Sequence, residues 1–302
     1  MSDQHSTKHI LQSLVVNVVI AVAKGVAAFL SGSGAMLAET IHSFADCGNQ
    51  VLLLLGVKNA RKGPDASHPL GYGRALYFWS FIVALMLFFG GGVFSIYEGV
   101  HKLRHPEPVE SSLSGYIVLG FALLLEGWAT IGNIRELNVR RGNVSFFRYL
   151  RDSKDSDLIV VFAENAAAVL GLIAAFAAIV ASQLTHDSTW DALGTIAIGL
   201  VLTGVAIFLA IEIKSLLVGE SADPELARVV RETIAEDQRF TAIVELVTMQ
   251  QGPGEALVGL EVAMRPGMPF EEVVMAINEF EVRLRTKRPD AKWCYVEPDL
   301  VA

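Results

Sequence analysis

Cysteine is nearly absent: the 302 residues carry two, Cys47 and Cys294. Two isolated thiols make neither a disulfide framework nor a cysteine-based zinc site. Charge is also scarce, 19% of residues against 52% hydrophobic, and mean hydropathy is +0.45. Apolar runs this continuous exclude an ordinary soluble enzyme. Histidine stops early: all seven (residues 5, 9, 42, 68, 101, 105 and 186) precede the last third of the chain, so no histidine-based metal site is expected there. The opening M-S-D-Q-H-S-T-K enters an apolar stretch with no small-residue cleavage site and is not an Arg-rich leader, so no signal or import peptide is expected. Internal repeats and low-complexity segments are absent.

What remains is hydrophobic length. Ala75 to Tyr97 holds no charged residue, and neither does Ala192 to Ile211. Each run suffices for one transmembrane helix of about 20 residues. Shorter or interrupted runs at roughly 10–31, 34–57, 113–134 and 158–183 predict four more, six in all. Loop charge sets the orientation. Lys58, Arg61, Lys62 and Arg74 follow span two, and Arg135, Arg140, Arg141, Arg148, Arg151 and Lys154 follow span four. The opposite side offers only Lys102 and Arg104. The positive-inside rule therefore places both termini in the cytoplasm. Within the linker 135–157, S-F-F-R-Y-L-R is an amphipathic piece suited to the inner interface.

After about residue 218 the character changes. Residues 219–302 hold 16 acidic and 9 basic side chains, a net of −7 out of −8 for the whole chain. This negative field favours cations and argues against nucleic acid as a partner. Asp223-Pro224-Glu225 is a helix start. F-T-A-I-V-E-L-V-T-M and A-L-V-G-L-E-V-A-M are strands joined by a hairpin signal, Q-Q-G-P-G-E. A helical run and the strand W-C-Y-V follow. Helix, strand, strand, helix, strand suits a small α+β layer structure, steadied by dimerisation.

The chemistry-bearing feature is a polar stripe in span two. Glu39, His42, Asp46 and Asn49 are spaced 3, 4 and 3 apart and share one helix face. Ionisable groups at membrane depth need a cavity or a partner. An imidazole and a carboxylate one turn apart, His42 and Asp46, can chelate a divalent cation; hydrogen-bonding glue between helices is the alternative, most natural for Asn49. Zinc takes four ligands, so a second helix must contribute. Span five offers Glu164 and Asn165, although adjacent positions point about 100° apart. Lys24 in span one and Glu126 in span four are further intramembrane charges without an assigned role. No nucleophile or second acid/base set accompanies the stripe, which argues against a hydrolase.

The run S-G-S-G-A-M-L-A-E-T-I-H-S-F-A-D-C-G-N-Q resembles span two of the cation diffusion facilitator family of divalent-metal transporters. H-P-L-G-Y-G-R before span three, G-G-V-F-S-I-Y-E-G at its end, the last span with I-K-S-L-L-V-G-E, and the closing Y-V-E-P-D are also similar, together covering nearly the whole chain. The resemblance implies an α-helical membrane protein: six transmembrane helices (1–218), a ferredoxin-like α+β cytoplasmic domain (219–302), and a homodimer in the lipid bilayer of the cell membrane. It implies export of a divalent metal, zinc foremost, with Fe2+, Mn2+ and Co2+ as alternatives, in exchange for protons and with no prosthetic group.

The family's span-two pair falls on His42 and Asp46. Its span-five pair falls on Val161 and Asn165, an apolar residue and a neutral amide, which resembles a divergent branch related to mitochondrial zinc transporters; Glu164 is the compensating carboxylate. The family's loop site, D-x-x-H-x-x-x-H, falls on Asp65 and His68, with Tyr72 in the last position. Phenol is a poor zinc ligand at neutral pH, so Tyr72 is expected to be a hydrogen-bonder. His101 and His105 are expected to be solvated loop residues. The altered span-five pair and histidine-free tail keep a second reading open, a membrane metal sensor or scaffold that does not transport.

Overall fold

The computed structural model describes residues 2–106, 113–152 and 156–299. Lys154 and the Glu107-Pro108 end of the outer loop lie outside them. The chain divides into two compact units. The first comprises Met1–Val57, Phe78–Asp152 and Ser156–Lys214; the second holds Lys58–Tyr77 and Ser215–Ala302.

The first unit is helical. Helix α1 (Ser2–Ser31) turns at Gly32 into α2 (Gly34–Ala60). Helix α3 (Ala75–Met86) runs through a π-helical segment, Leu87–Val93, into α4 (Phe94–Arg104). Then come α5 (Leu113–Arg141), the short α6 (Phe146–Asp152), α7 (Ser156–Thr185) and α8 (Thr189–Val218). Among the described residues four stretches are long and apolar enough to cross a membrane: Ala75–Arg104, Tyr116–Val139, Val161–Thr185 and Thr189–Val218. Asn17–Leu30 is apolar but shorter. Helix α2 has the length, yet its stripe interrupts its apolar character.

Membrane helices gain nothing from burying apolar surface against one another, so small residues that admit close packing bring them together. Gly92 and Gly99 make this contact with α8: a Cβ on Gly92 would strike Thr203, and one on Gly99 would lie 2.5 Å from Ile196. The π-segment places L-F-F-G-G-G-V at this seam. Helix α5 packs along α7 and against α1. Outward faces carry large apolar side chains, among them Phe29, Leu124 and Trp128, as expected of a lipid-facing surface. Helix α6 folds Leu150 against Leu137, with Phe146, Tyr149 and Phe162 around it.

The second unit's C-terminal part follows the order α9 (Pro224–Ala235), β1 (Phe240–Gly252), β2 (Glu255–Met264), α10 (Phe270–Lys287), β3 (Trp293–Asp299), as the hydrophobic pattern predicts. Asp223 caps α9, its carboxylate accepting from Glu225 N at 3.0 Å, with Pro224 in the first turn. Strand β2 is central, antiparallel to β1 and parallel to β3. Leu226, Val230 and Ile234 of α9 and Ala276, Phe280 and Leu284 of α10 recur every four residues. They bury one helix face each with Val258, Leu260 and Val262 of β2, while Glu245, Val247, Gly259 and Glu261 alternate with these or with their strand partners. Truncating Phe280, fully buried against Phe240, would cost about 3–5 kcal/mol.

The segment Lys58–Tyr77 belongs to this unit. Its Gly73 meets the β1–β2 hairpin backbone to backbone: a Cβ on Gly73 would lie 2.6 Å from Gln251 O, and one on Gly252 would lie 2.8 Å from Gly73 Cα. Only glycine fits on either side.

Candidate metal centre

Helix α2 is anchored where it starts. Its first backbone N–H groups lack intrahelical acceptors and carry partial positive charge. Asp191, buried in the first turn of α8, accepts from Gly34 N at 2.8 Å and from Ala35 N at 3.4 Å, and also from Ser33 Oγ. Lys102 of α4 donates to the Gly32 carbonyl and lies 3.5 Å from Asp191. This anchor escapes sequence reasoning, because Lys102 and Asp191 meet only in three dimensions. The acid in the first turn of α8 is its sole local signal.

The stripe then descends along α2. Glu39, His42 and Asn49 are fully buried, and the Asp46 side chain is 18% exposed. His42 Nε2 lies 3.6 Å from Asp46 Oδ2. From α7, Glu164 Oε1 accepts a hydrogen bond from Asn49 Nδ2 at 2.8 Å, and Glu164 lies within electrostatic reach of Asp46. From α1, Lys24 lies 3.3 Å from Glu39 Oε2. Glu126 of α5 interacts electrostatically with Lys24, Asp46 and His42. Asn165 enters through its backbone, its carbonyl accepting from Thr130 Oγ1 of α5 at 3.3 Å.

The structure therefore pairs His42 with Asp46 and Glu164 with Asn49. Both nitrogens of His42, Asp46 Oδ1 and Asn49 Oδ1 are buried without a hydrogen-bond partner among the described residues. Such atoms are costly to leave unsatisfied; the carboxylate and amide oxygens and the unprotonated nitrogen of His42 each offer a lone pair that a cation can use, while the other ring nitrogen carries the proton. Among the described residues, no three histidine, cysteine or carboxylate side chains converge closely enough to hold an ion in this conformation. A metal would have to bring the Glu164 carboxylate and the His42–Asp46 pair closer than they stand here.

Asp65 and His68 lie in the second unit, in an exposed loop closed on itself. Asp65 Oδ1 accepts from His68 N at 2.7 Å and Ser67 N at 2.9 Å, and Oδ2 accepts from Tyr72 Oη at 2.8 Å. The His68 and Tyr72 ring centroids lie 4.0 Å apart with the planes tilted by 33°, and the Lys62 ammonium is 5.5 Å from the Tyr72 ring. The Tyr72 hydrogen bond is the main reason the Asp65 carboxyl lies below its usual range and the Tyr72 phenol above its own. Tyr72 thus fills, as a donor, the coordination that a third ligand would share.

On the open face of the tail sheet, the register aligns Glu245 with Glu261 and Glu261 with Glu297. Burial, reinforced by Glu245, Glu297 and Asp299, raises the Glu261 carboxyl above its usual value. Neither periodicity nor composition reveals this row, since strand register creates it.

Residues 10–218 match the family described as "Cation efflux transmembrane domain". The chain is 33% identical over 257 residues to the human "Proton-coupled zinc antiporter SLC30A9, mitochondrial", a match covering 84% of this chain and 45% of that protein. It is 31% identical over 258 residues to "Metal tolerance protein C4" of Arabidopsis thaliana, covering 84% and 56%. "Magnetosome protein MamB" of Magnetospira sp. is 29% identical over 207 residues, covering 67% and 64%. The chain thus spans about half the length of the first two relatives. With the family matched over most of its length and the buried His42–Asp46 pair inside the matched region, the chain belongs to the cation diffusion facilitator family of metal transporters.

Proposed function

We propose that the chain is a proton-coupled antiporter that exports a divalent cation, zinc foremost, from the cytoplasm. The observation that carries this reading is the buried His42–Asp46 pair on α2 facing Glu164 of α7, with the ring nitrogens of His42, one of which bears a lone pair, and Asp46 Oδ1 left without hydrogen-bond partners among the described residues. His42, Asp46 and Glu164 bind the ion, and Asn165 or water completes the shell. Asp65 and His68 form at most a weak second site, because Tyr72 already engages the carboxylate. Ligand atoms must be deprotonated to bind metal, so proton and metal compete for them. An inward proton gradient then drives release on the far side. The names of the human and Arabidopsis relatives, a zinc antiporter and a metal tolerance protein, support this assignment.

The arrangement goes with six spans in residues 1–218, both termini in the cytoplasm, and a ferredoxin-like cytoplasmic domain over 219–302 that holds a homodimer together. Helices α1 and α2 supply the two spans beyond the four apolar ones, α2 with its stripe turned inward. The cell membrane is the proposed location, although the human relative's name places that protein in mitochondria. The test is zinc-driven proton flux in reconstituted vesicles: His42→Ala or Asp46→Ala abolishes it, and flux retained in both variants removes this site.

A membrane metal sensor on the same fold is the second reading. The Asn49–Glu164 bond favours it, because it keeps one donor of the site engaged at rest. Zinc binding without flux separates the two.

A further inference from the structure

Lys24 is the one fully buried cation among the described residues, and it sits against the stripe. Its Nζ lies 3.3 Å from Glu39 Oε2 and donates to Ser43 Oγ at 2.8 Å. Glu39 is one helical turn before His42. Its second oxygen, Oε1, is buried without a hydrogen-bond partner among the described residues. That oxygen points at Gly171 of α7, where a Cβ would collide with it. Glycine there leaves room for the carboxylate between α2 and α7.

A buried ion pair is poor value as packing, since an apolar pair of the same volume is as stable or more so. Its presence within a turn of the metal-binding pair points to charge. Without the ammonium, the carboxylates of Glu39, Asp46 and Glu164 would lie along the site with no compensating cation, and Glu126 interacts electrostatically with Lys24 and Asp46 as well. A divalent cation held by that much negative charge enters readily and leaves slowly.

We propose that Lys24 is the counter-charge of the cation site: it neutralises Glu39, and so sets the affinity at which a divalent ion is held and released. Glu39 is then a positioning partner for Lys24 and not a ligand. The role presupposes that His42 and Asp46 receive the transported ion.

The two single variants separate charge from structure, because they change the site's charge in opposite directions. Zinc flux in proteoliposomes and equilibrium zinc binding in detergent are measured for the full chain, Lys24→Met, Glu39→Gln, the double variant and His42→Ala. Loss of the ammonium in K24M lowers KM and slows turnover, and loss of the carboxylate in E39Q raises KM. Each shift is about tenfold or more, the size expected of a unit charge on a nearby divalent ion in a poorly screened site. K24M/E39Q returns KM toward that of the parent. A purely structural pair would lower yield or turnover without moving KM in opposite senses. If KM stays raised in the double variant, Glu39 is a ligand and the proposal is overturned. If H42A abolishes binding while K24M and E39Q bind as the parent does, the counter-charge alone is overturned. If the parent neither binds nor moves zinc, the transport reading fails and this role with it.

Discussion

Asn49 Nδ2 and Glu164 Oε1 are 2.8 Å apart, a hydrogen bond between helices separated by 115 positions in sequence. It ties the helix bearing His42 and Asp46 to Glu164 of α7, which the proposed function makes a ligand. If Glu164 is a ligand as proposed, Asn49 orients it, and removal of Asn49 should weaken metal binding more than turnover. Asn49→Ala is expected to raise the zinc KM about tenfold, the loss of one hydrogen bond to a charged group, with the maximal rate nearly kept. An unchanged KM would mean that Glu164 needs no such support.

The loop makes a gain-of-function prediction. Asp65 and His68 hold two of the loop's three expected ligand positions, and Tyr72 holds the third with a hydroxyl bonded to Asp65. Tyr72→His, placed in a background of His42→Ala and Asp46→Ala, should add one zinc ion per chain by equilibrium dialysis. Stoichiometry equal to that of the background would show that the loop backbone does not present the three side chains to one ion.

Gly73 should tolerate no side chain. Its Cβ would lie 2.6 Å from Gln251 O and 3.2 Å from Gly252 Cα, both backbone atoms that cannot step aside. Gly73→Ala is expected to cost about 1–3 kcal/mol by overpacking. The readout is amide hydrogen exchange, which should quicken around Gln250–Gly254. Unaltered exchange would place this contact outside the folded ensemble.

Asp237 couples the tail's stability to pH. It accepts two hydrogen bonds from the Arg239 side chain, at 2.9 and 2.7 Å, one from the Arg239 backbone N–H at 3.1 Å, and one from Arg283 at 2.9 Å. These bonds, Arg239 foremost, hold its carboxyl well below the usual range. A folded-state value below the unfolded one of about 3.9 gives stabilisation that is present above that pH and is lost as pH falls through the folded value. Asp237→Asn should weaken protection of the α9–β1 turn by roughly 1–2 kcal/mol at pH 7. The difference from the parent should shrink below about pH 4, and a pH-independent difference would contradict the coupling.

Much of this was legible in the sequence for identifiable reasons. The 3-4-3 spacing of Glu39, His42, Asp46 and Asn49 survives any tertiary arrangement, because helical periodicity alone puts them on one face. The tail's helix-strand-strand-helix-strand order followed from its alternating and four-residue apolar periods. What stayed hidden depends on partners distant in the chain: Asp191 capping α2, Lys24 facing Glu39, and strand register aligning Glu245, Glu261 and Glu297. Two further contacts of span five also depend on distant partners: the Asn165 carbonyl accepts from Thr130, and Glu164 accepts from Asn49.

Zinc uptake into acid-loaded, inside-out proteoliposomes, parent against Glu164→Ala, tests the central claim most directly. Uptake by the parent and its loss in the variant is the expected result, with Glu164 serving in place of the missing span-five pair. Uptake that persists without Glu164, or a parent that moves none of zinc, iron, manganese, cobalt or nickel, would contradict it.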